Sequence, residues 1–317
     1  MTKIDIYSGF LGAGKTTLIK KMIAESYRGQ KLVLIENEFG QIGIDGGFLQ
    51  ESGINITEMN SGCICCSLVG DFGKALTQVI EEYDPDRIVI EPSGVGKLSD
   101  VIAAVNKVTN ADVTLGYTVA VVDAGKVKVY MKNFGEFYNN QIETASTIIL
   151  SRTDAISQQK LDNAVAMLRE HNAQATIVTT PWDQLTGAQL AEAMESKSTL
   201  ASELAELEHH HHDEHCDCGH DHGHHHADEV FTSWGVETAK KFTAEEIEFA
   251  LKKLDSREYG FVLRAKGIVP NQDGSWIHFD YVPGECDIRT GGAAIIGRLC
   301  VIGAELDEQD IAELFGV

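Results

Sequence analysis

GFLGAGKT, Gly9 to Thr16, fits the pattern G-x-x-x-x-G-K-[ST] without a mismatch. It follows an apolar, β-branched stretch, KIDIYS (3–8), and opens a helical pattern, KTTLIKKM. That strand–loop–helix context is what the motif needs. Glycines let backbone N–H groups curl around phosphate oxygens, and the helix N-terminus adds a favourable dipole. Gly9, Gly12, Ala13 and Gly14 are the expected cradle. Lys15 is expected to reach the β- and γ-phosphates and Thr16 to ligate Mg²⁺, with Thr17 donating to the α-phosphate.

Outward from this loop, strand-like runs alternate with helical ones: KLVLIEN (31–37), INITEM (54–59), RIVIE (87–91), YTVAVVD (117–123), TIILS (147–151) and ATIVTT (175–180). The helical patterns between most of them are SLVGDFGKALTQVIEEY, LSDVIAAVNKV and SQQKLDNAVAMLREH. Alternation of this kind predicts an α/β fold with a mainly parallel sheet, which with the Gly9–Thr16 motif makes a P-loop NTPase domain over 1–195. Residues 196–229 are polar and include a His-rich tract with no apolar content, so they read as a flexible linker. From 230 to 317 the order β-α-β-β-β-α, with a helix opened by Thr243, predicts a small C-terminal α+β domain.

Bulk composition narrows the partners. The 317 residues carry 26 basic against 48 acidic side chains, a net charge of −22. A chain so negative repels phosphate backbones and anionic lipids, which argues against nucleic acid and membrane. No apolar run reaches the roughly 18 residues that span a bilayer. The opening MTKIDIYSGF lacks the apolar core of a secretory signal. A cytoplasmic, reducing setting is expected, where clustered cysteines point to metal or catalysis rather than a disulfide.

Two further segments extend the nucleotide reading. RIVIEPSG (87–94) is a buried strand ending in Glu91, then a turn with Gly94. Glu91 is the expected acid for a Mg²⁺-bound or attacking water, and the Gly94 N–H the expected γ-phosphate donor. Ser151-Arg-Thr-Asp154 follows the strand TIIL, where P-loop GTPases often carry Asn-Lys-x-Asp. Asp154 can accept two guanine N–H donors, while Arg152, beside Ser151, offers a stem and planar head to the base. GTP is therefore expected over ATP.

Metal chemistry is the second theme. GCICC places Cys63, Cys65 and Cys66, three of seven cysteines, ahead of a helical pattern. Thiols there ionise readily and bind Zn²⁺ or Cu(I), and three ligands leave a position open for transfer. The tract 209–226 adds His209, His210, His211, His212, His215, Cys216, Cys218, His220, His222, His224, His225 and His226. It is expected to hold several ions with modest affinity each.

In order, GFLGAGKTT, IENEFGQIGID, GCICC, IEPSG and the degenerate SRTD resemble the CobW-like P-loop GTPases of the CobW/HypB/UreG group, metallochaperones and metal-insertion factors. The resemblance implies that Cys63, Cys65 and Cys66 bind the cargo metal, with Glu36 beside them. It also implies a switch-like segment from Glu36 to Asp45, with Glu36, Glu38 and Asp45 on its acidic positions. Many members carry Glu where this chain has Gln41. The expected function is a slow GTPase that carries a transition metal, Zn²⁺ first with Co²⁺ and Ni²⁺ as alternatives, to a client metalloprotein. A metal storage or buffering protein built on the His-rich tract is the alternative. A metal- or nucleotide-dependent homodimer is kept open.

Overall fold

The computed structural model describes residues 1–36, 56–60, 69–195 and 232–317. Residues 37–45 of the switch-like segment, the GCICC thiols and the His-rich tract lie outside the described residues. The chain divides into two compact units, Met1–Lys197 and Ser198–Val317.

The described residues of the first unit form seven strands: β1 (Thr2–Gly9), β2 (Leu32–Glu36), β3 (Ile56–Asn60), β4 (Arg87–Glu91), β5 (Val113–Asp123), β6 (Thr147–Ser151) and β7 (Thr176–Val178). They pair in the order β3-β2-β4-β1-β5-β6-β7, every pair parallel. Parallel neighbours require crossovers, and α1 (Lys15–Glu25), α2 (Val69–Tyr83), α3 (Leu98–Asn106), α4 (Val127–Thr144) and α5 (Gln158–His171) lie in them, while α6 (Gly187–Glu195) follows the last strand. Runs such as Ile88-Val89-Ile90 and Ile148-Ile149-Leu150 are fully buried, as a sheet covered on both faces demands. This is the P-loop NTPase fold expected from the motif.

A polar brace runs through this apolar sheet. Asp5 of β1 is fully buried and accepts from Arg87 Nη1, from Tyr27 OH at 3.0 Å and from the Tyr117 N–H at 2.9 Å. Arg87 Nε donates to Gln30 Oε1 at 2.8 Å, and its guanidinium lies over the Tyr27 ring. A Cβ on Gly116 would come within 2.1 Å of Asp5 Oδ1, so only glycine leaves room for this carboxylate. Burial pushes the Asp5 carboxyl up, against the pull of Arg87.

The second unit holds β8 (Thr232–Thr238), α7 (Ala244–Lys253), β9 (Phe261–Pro270), β10 (Trp276–Val282), β11 (Glu285–Gly291), β12 (Gly297–Ala304) and α8 (Glu308–Phe315). Its sheet is antiparallel, ordered β11-β10-β9-β12-β8. Thr243 does open α7: its side chain accepts from the Glu246 N–H and the Glu246 carboxylate accepts from the Thr243 N–H.

Three elements depart from the sequence reading. The order here is β-α-β-β-β-β-α, one strand more than expected. The extra strand, β11, is an exposed edge without apolar alternation. In the first unit α4 was hidden by a kink at Phe134, where φ −134° and ψ 26° break its apolar stripe. The short α6 also carries too few turns to show a clear period.

The brace sets a stability test. Asp5→Ala leaves the Arg87 guanidinium buried without its carboxylate, which typically costs about 3–5 kcal/mol. Urea unfolding of the variant should show that loss, whereas a shift below about 1 kcal/mol, the level of a surface pair, would assign the brace no structural weight.

Candidate functional site

The carboxyl ends of β1, β4 and β2 lie side by side, and the site is assembled on that edge. Gly9, Gly12 and Gly14 all have positive φ, which lets the loop between β1 and α1 turn back on itself. Its turn is closed by the Ala13 N–H donating to the Phe10 carbonyl at 3.2 Å. No side chain caps α1, whose N-cap residue is Gly14, so its first N–H groups suit an anion.

Behind the loop the side chains converge. Thr16 Oγ1 lies 3.1 Å from both carboxylate oxygens of Glu91. Lys15 is buried, with Nζ 3.4 Å from the Phe10 carbonyl and 4.0 Å from Glu91 Oε1. Register puts Glu36 directly beside Glu91 on the neighbouring strand. A hydroxyl with two carboxylates on adjacent strand ends is a hard-oxygen set of the kind that Mg²⁺ prefers. Thr17, one residue on, is exposed.

The turn after β4 closes against the same loop. A Cβ on Gly94 would stand 2.8 Å from the Leu11 backbone nitrogen, so the two turns touch only because Gly94 has no side chain. Buried Gln141 of α4 holds that turn from behind, donating to the carbonyls of Gly94 at 3.1 Å and Gly96 at 2.8 Å. Phe10 anchors the loop to α4 as well, packing against Tyr130, Phe134 and Tyr138 with ring centroids 4.7, 4.9 and 5.8 Å away.

The SRTD segment reaches this edge from β6. Ser151 ends the strand, and Arg152 adopts a left-handed conformation with φ 56°. Its guanidinium pairs with the Asp123 carboxylate and donates to the Gly12 carbonyl at 2.9 Å. Arg152 thus ties the segment to the phosphate loop. Asp154 is exposed in the short turn Thr153–Ala155.

Sequence reasoning passed over three contributors. Asp123 ends β5 and accepts from the Gly125 N–H at 2.9 Å while pairing with Arg152. Gln141 carries no motif. Trp182 lies after β7, and a Cβ on Gly14 would meet its ring at 3.0 Å and Ser151 Cβ at 4.0 Å. The Trp182 ring, the loop and the end of β6 at Ser151 therefore share one corner. The one local signal is an aromatic residue beside a proline in TTPWD, and the Trp182 ring is half-buried.

Among the described residues no three His, Cys, Asp or Glu side chains group closely enough for a metal ion, and no helix is long and apolar enough to cross a membrane. The chain is 33% identical over 185 residues to the zinc chaperone CobW of a Sinorhizobium species, covering 49% of this chain and 52% of that protein. It is 32% identical over 184 residues to the zinc chaperone YjiA of Escherichia coli (strain K12), covering 56% of each. It is 29% identical over 195 residues to the zinc-regulated GTPase metalloprotein activator 1 of Schizosaccharomyces pombe, covering 57% and 46%. The matches thus span about half the length of these relatives. Among solved structures, Zn(II)-bound YjiA GTPase from E. coli aligns at 20% identity over 99% and 98% of the two chains, with a TM-score of 0.42. Residues 231–316 match the model of the cobalamin synthesis protein cobW C-terminal domain. Residues 3–179 match that of the CobW/HypB/UreG nucleotide-binding domain, and with both matches the chain belongs to the CobW/HypB/UreG family.

Proposed function

We propose that this chain is a GTP-hydrolysing metallochaperone that binds a transition metal, Zn²⁺ first, at GCICC and delivers it to a client metalloprotein in a nucleotide-dependent way. The observation that carries the reading is the meeting of Thr16, Lys15 and Glu91 with Glu36 in register beside them. Glu36 is the last described residue before the segment that leads, through β3, to the cysteines. A nucleotide held at Thr16 and Glu91 then acts on the start of the chain that runs to the metal. Relatives named zinc chaperones support the metal, as does a relative named a GTPase metalloprotein activator for the delivery step.

In this reading Lys15 and the loop N–H groups hold the phosphates, and Arg152 keeps the base-reading segment docked on the loop. Thr16 and Glu91 would hold Mg²⁺, which when bound supplies charge neutralisation at the β- and γ-phosphates. Asp154 reads guanine and Trp182 walls the base side of the site. Unaided turnover is slow, as in GTPases that await a partner. Residues 1–195 form the GTPase domain, 196–229 a metal-binding linker, and 230–317 the domain that selects the client. The protein works in the reducing cytoplasm, with no nucleic acid or membrane partner.

Storage is the competing reading, favoured by the ten histidines between 209 and 226. Deleting that tract separates the two. A carrier keeps one tight, nucleotide-linked ion, whereas a buffer loses nearly all its metal.

Gating is tested by Zn²⁺ competition titrations with a GTP analogue and with GDP. The wild type should bind at least about tenfold more tightly with the analogue, a coupling of roughly 1.4 kcal/mol, and Cys65→Ser should lose that difference. Equal affinities in the two states would remove the gating. Guanine preference is read from Trp182 fluorescence, which should change saturably with GDP and far less with ADP. Trp182→Phe should abolish the signal and keep most of the affinity; an unchanged signal in that variant would take Trp182 out of the base site.

A further inference from the structure

The turn after β4, residues 92–96, is held from two sides. On one side Gly94 lies against the phosphate loop, with 2.8 Å between the Leu11 nitrogen and the place of a Cβ. On the other, a single side chain takes both glycine carbonyls: Gln141 Nε2 donates to Gly94 at 3.1 Å and to Gly96 at 2.8 Å. The turn itself is closed by the Gly96 N–H on the Ser93 carbonyl at 2.9 Å. Gly94, Gly96 and Gln141 are all buried, so water is a poor substitute for these bonds. Two glycines would leave such a turn free to take many paths. A trans peptide is rigid, so fixing the Gly94 and Gly96 carbonyls also fixes the planes that follow them.

The neighbours of Gln141 extend the grip. Asn140 Oδ1 accepts from the Ser99 N–H at 3.2 Å, and Asn140 Nδ2 donates to Ser99 Oγ at 3.0 Å, at the start of α3. Tyr138, three residues back and so on the same side of α4, packs on Phe10 of the phosphate loop with ring centroids 5.8 Å apart. One stretch of α4 therefore touches the loop, the turn and the helix that follows the turn. Tyr138, Asn140 and Gln141 belong to no nucleotide motif. Adhesion alone would not call for the Gln141 amide. An apolar side chain would bury a similar area without choosing where two carbonyls point.

We infer that Gln141 is a positioning residue for recognition of the γ-phosphate: its amide presets the turn so that the Gly94 N–H meets a γ-phosphate held by the loop. This rests on the reading of the site as a GTP site in which Gly94 is the γ-phosphate donor. GDP has no such group and makes no demand on the turn. Gln141 therefore acts on the difference between GTP and GDP, and not on the base or the first two phosphates. A donor already in place needs no reordering when the ligand arrives.

The test uses the full chain with Mg²⁺ and N-methylanthraniloyl-labelled nucleotides, comparing GDP with a non-hydrolysable GTP analogue, and measures GTP turnover alongside. Gln141→Leu is close in volume and removes both donors. It should bind the analogue about tenfold more weakly, hold GDP within about twofold, and lower kcat about tenfold, the scale of leaving buried carbonyls unpaired. Gln141→Glu separates positioning from packing. Its carboxylate would repel the two carbonyls, whereas the protonated carboxyl donates to one of them. Burial raises that carboxyl's pKa, so the analogue-over-GDP preference of this variant should recover as pH falls, relative to wild type at the same pH. A wild type that binds neither nucleotide would remove the underlying site and the inference with it. A wild type that binds both, with Gln141→Leu weakening the two equally or not at all, would overturn the positioning role and leave the site standing. So would a preference in Gln141→Glu that does not move with pH.

Discussion

The seven described strands of the first unit all run the same way, and that constraint gathers its chemistry. A parallel sheet sends every carboxyl end to one edge, where the loops that follow can meet. Hence Gly9, Glu36, Glu91, Asp123 and Ser151, which are far apart in sequence, end neighbouring strands. The 3.1 Å contacts between Thr16 and Glu91 are a consequence of β1 and β4 being adjacent and parallel. Reversing any one strand would carry its terminal residue to the far side of the sheet.

The phosphate loop is held by residues outside its own motif. Leu11 touches Gly94, Gly12 accepts from Arg152, Gly14 abuts Trp182, and Phe10 packs into the aromatic side of α4. Each contact comes from a different segment of the chain. A loop with three positive-φ glycines has little rigidity of its own, and these neighbours supply it. Deeper in the sheet, the Asp5–Arg87 pair ties β1 to β4 and, through Tyr27, to the turn after α1. The brace thus joins the two strands whose carboxyl ends carry the glycine-rich loop and Glu91.

The second unit solves a different problem with an antiparallel sheet. It buries one face against two helices and leaves charge on the other. Its edge strand β11 is exposed along nearly all its length and bears charges that discourage pairing with another chain.

Much was legible before any coordinates. GFLGAGKT with its flanking strand and helix determined the fold class, because few backbones let a β-strand, a glycine-rich turn and a helix N-terminus share one phosphate. IEPSG and SRTD were legible for the same reason, since both end β-branched runs. Only the tertiary structure decided which side chains brace those motifs. Arg152 bridges Asp123 and Gly12, Gln141 holds the Gly94 turn, and Trp182 meets Gly14, all across long sequence separations that no local pattern encodes. Likewise α4 and β11 escaped notice because one is kinked and the other exposed, and local pattern reports burial only where it is periodic. Sequence determined what each segment can become; the packing of distant segments decided which groups face each other.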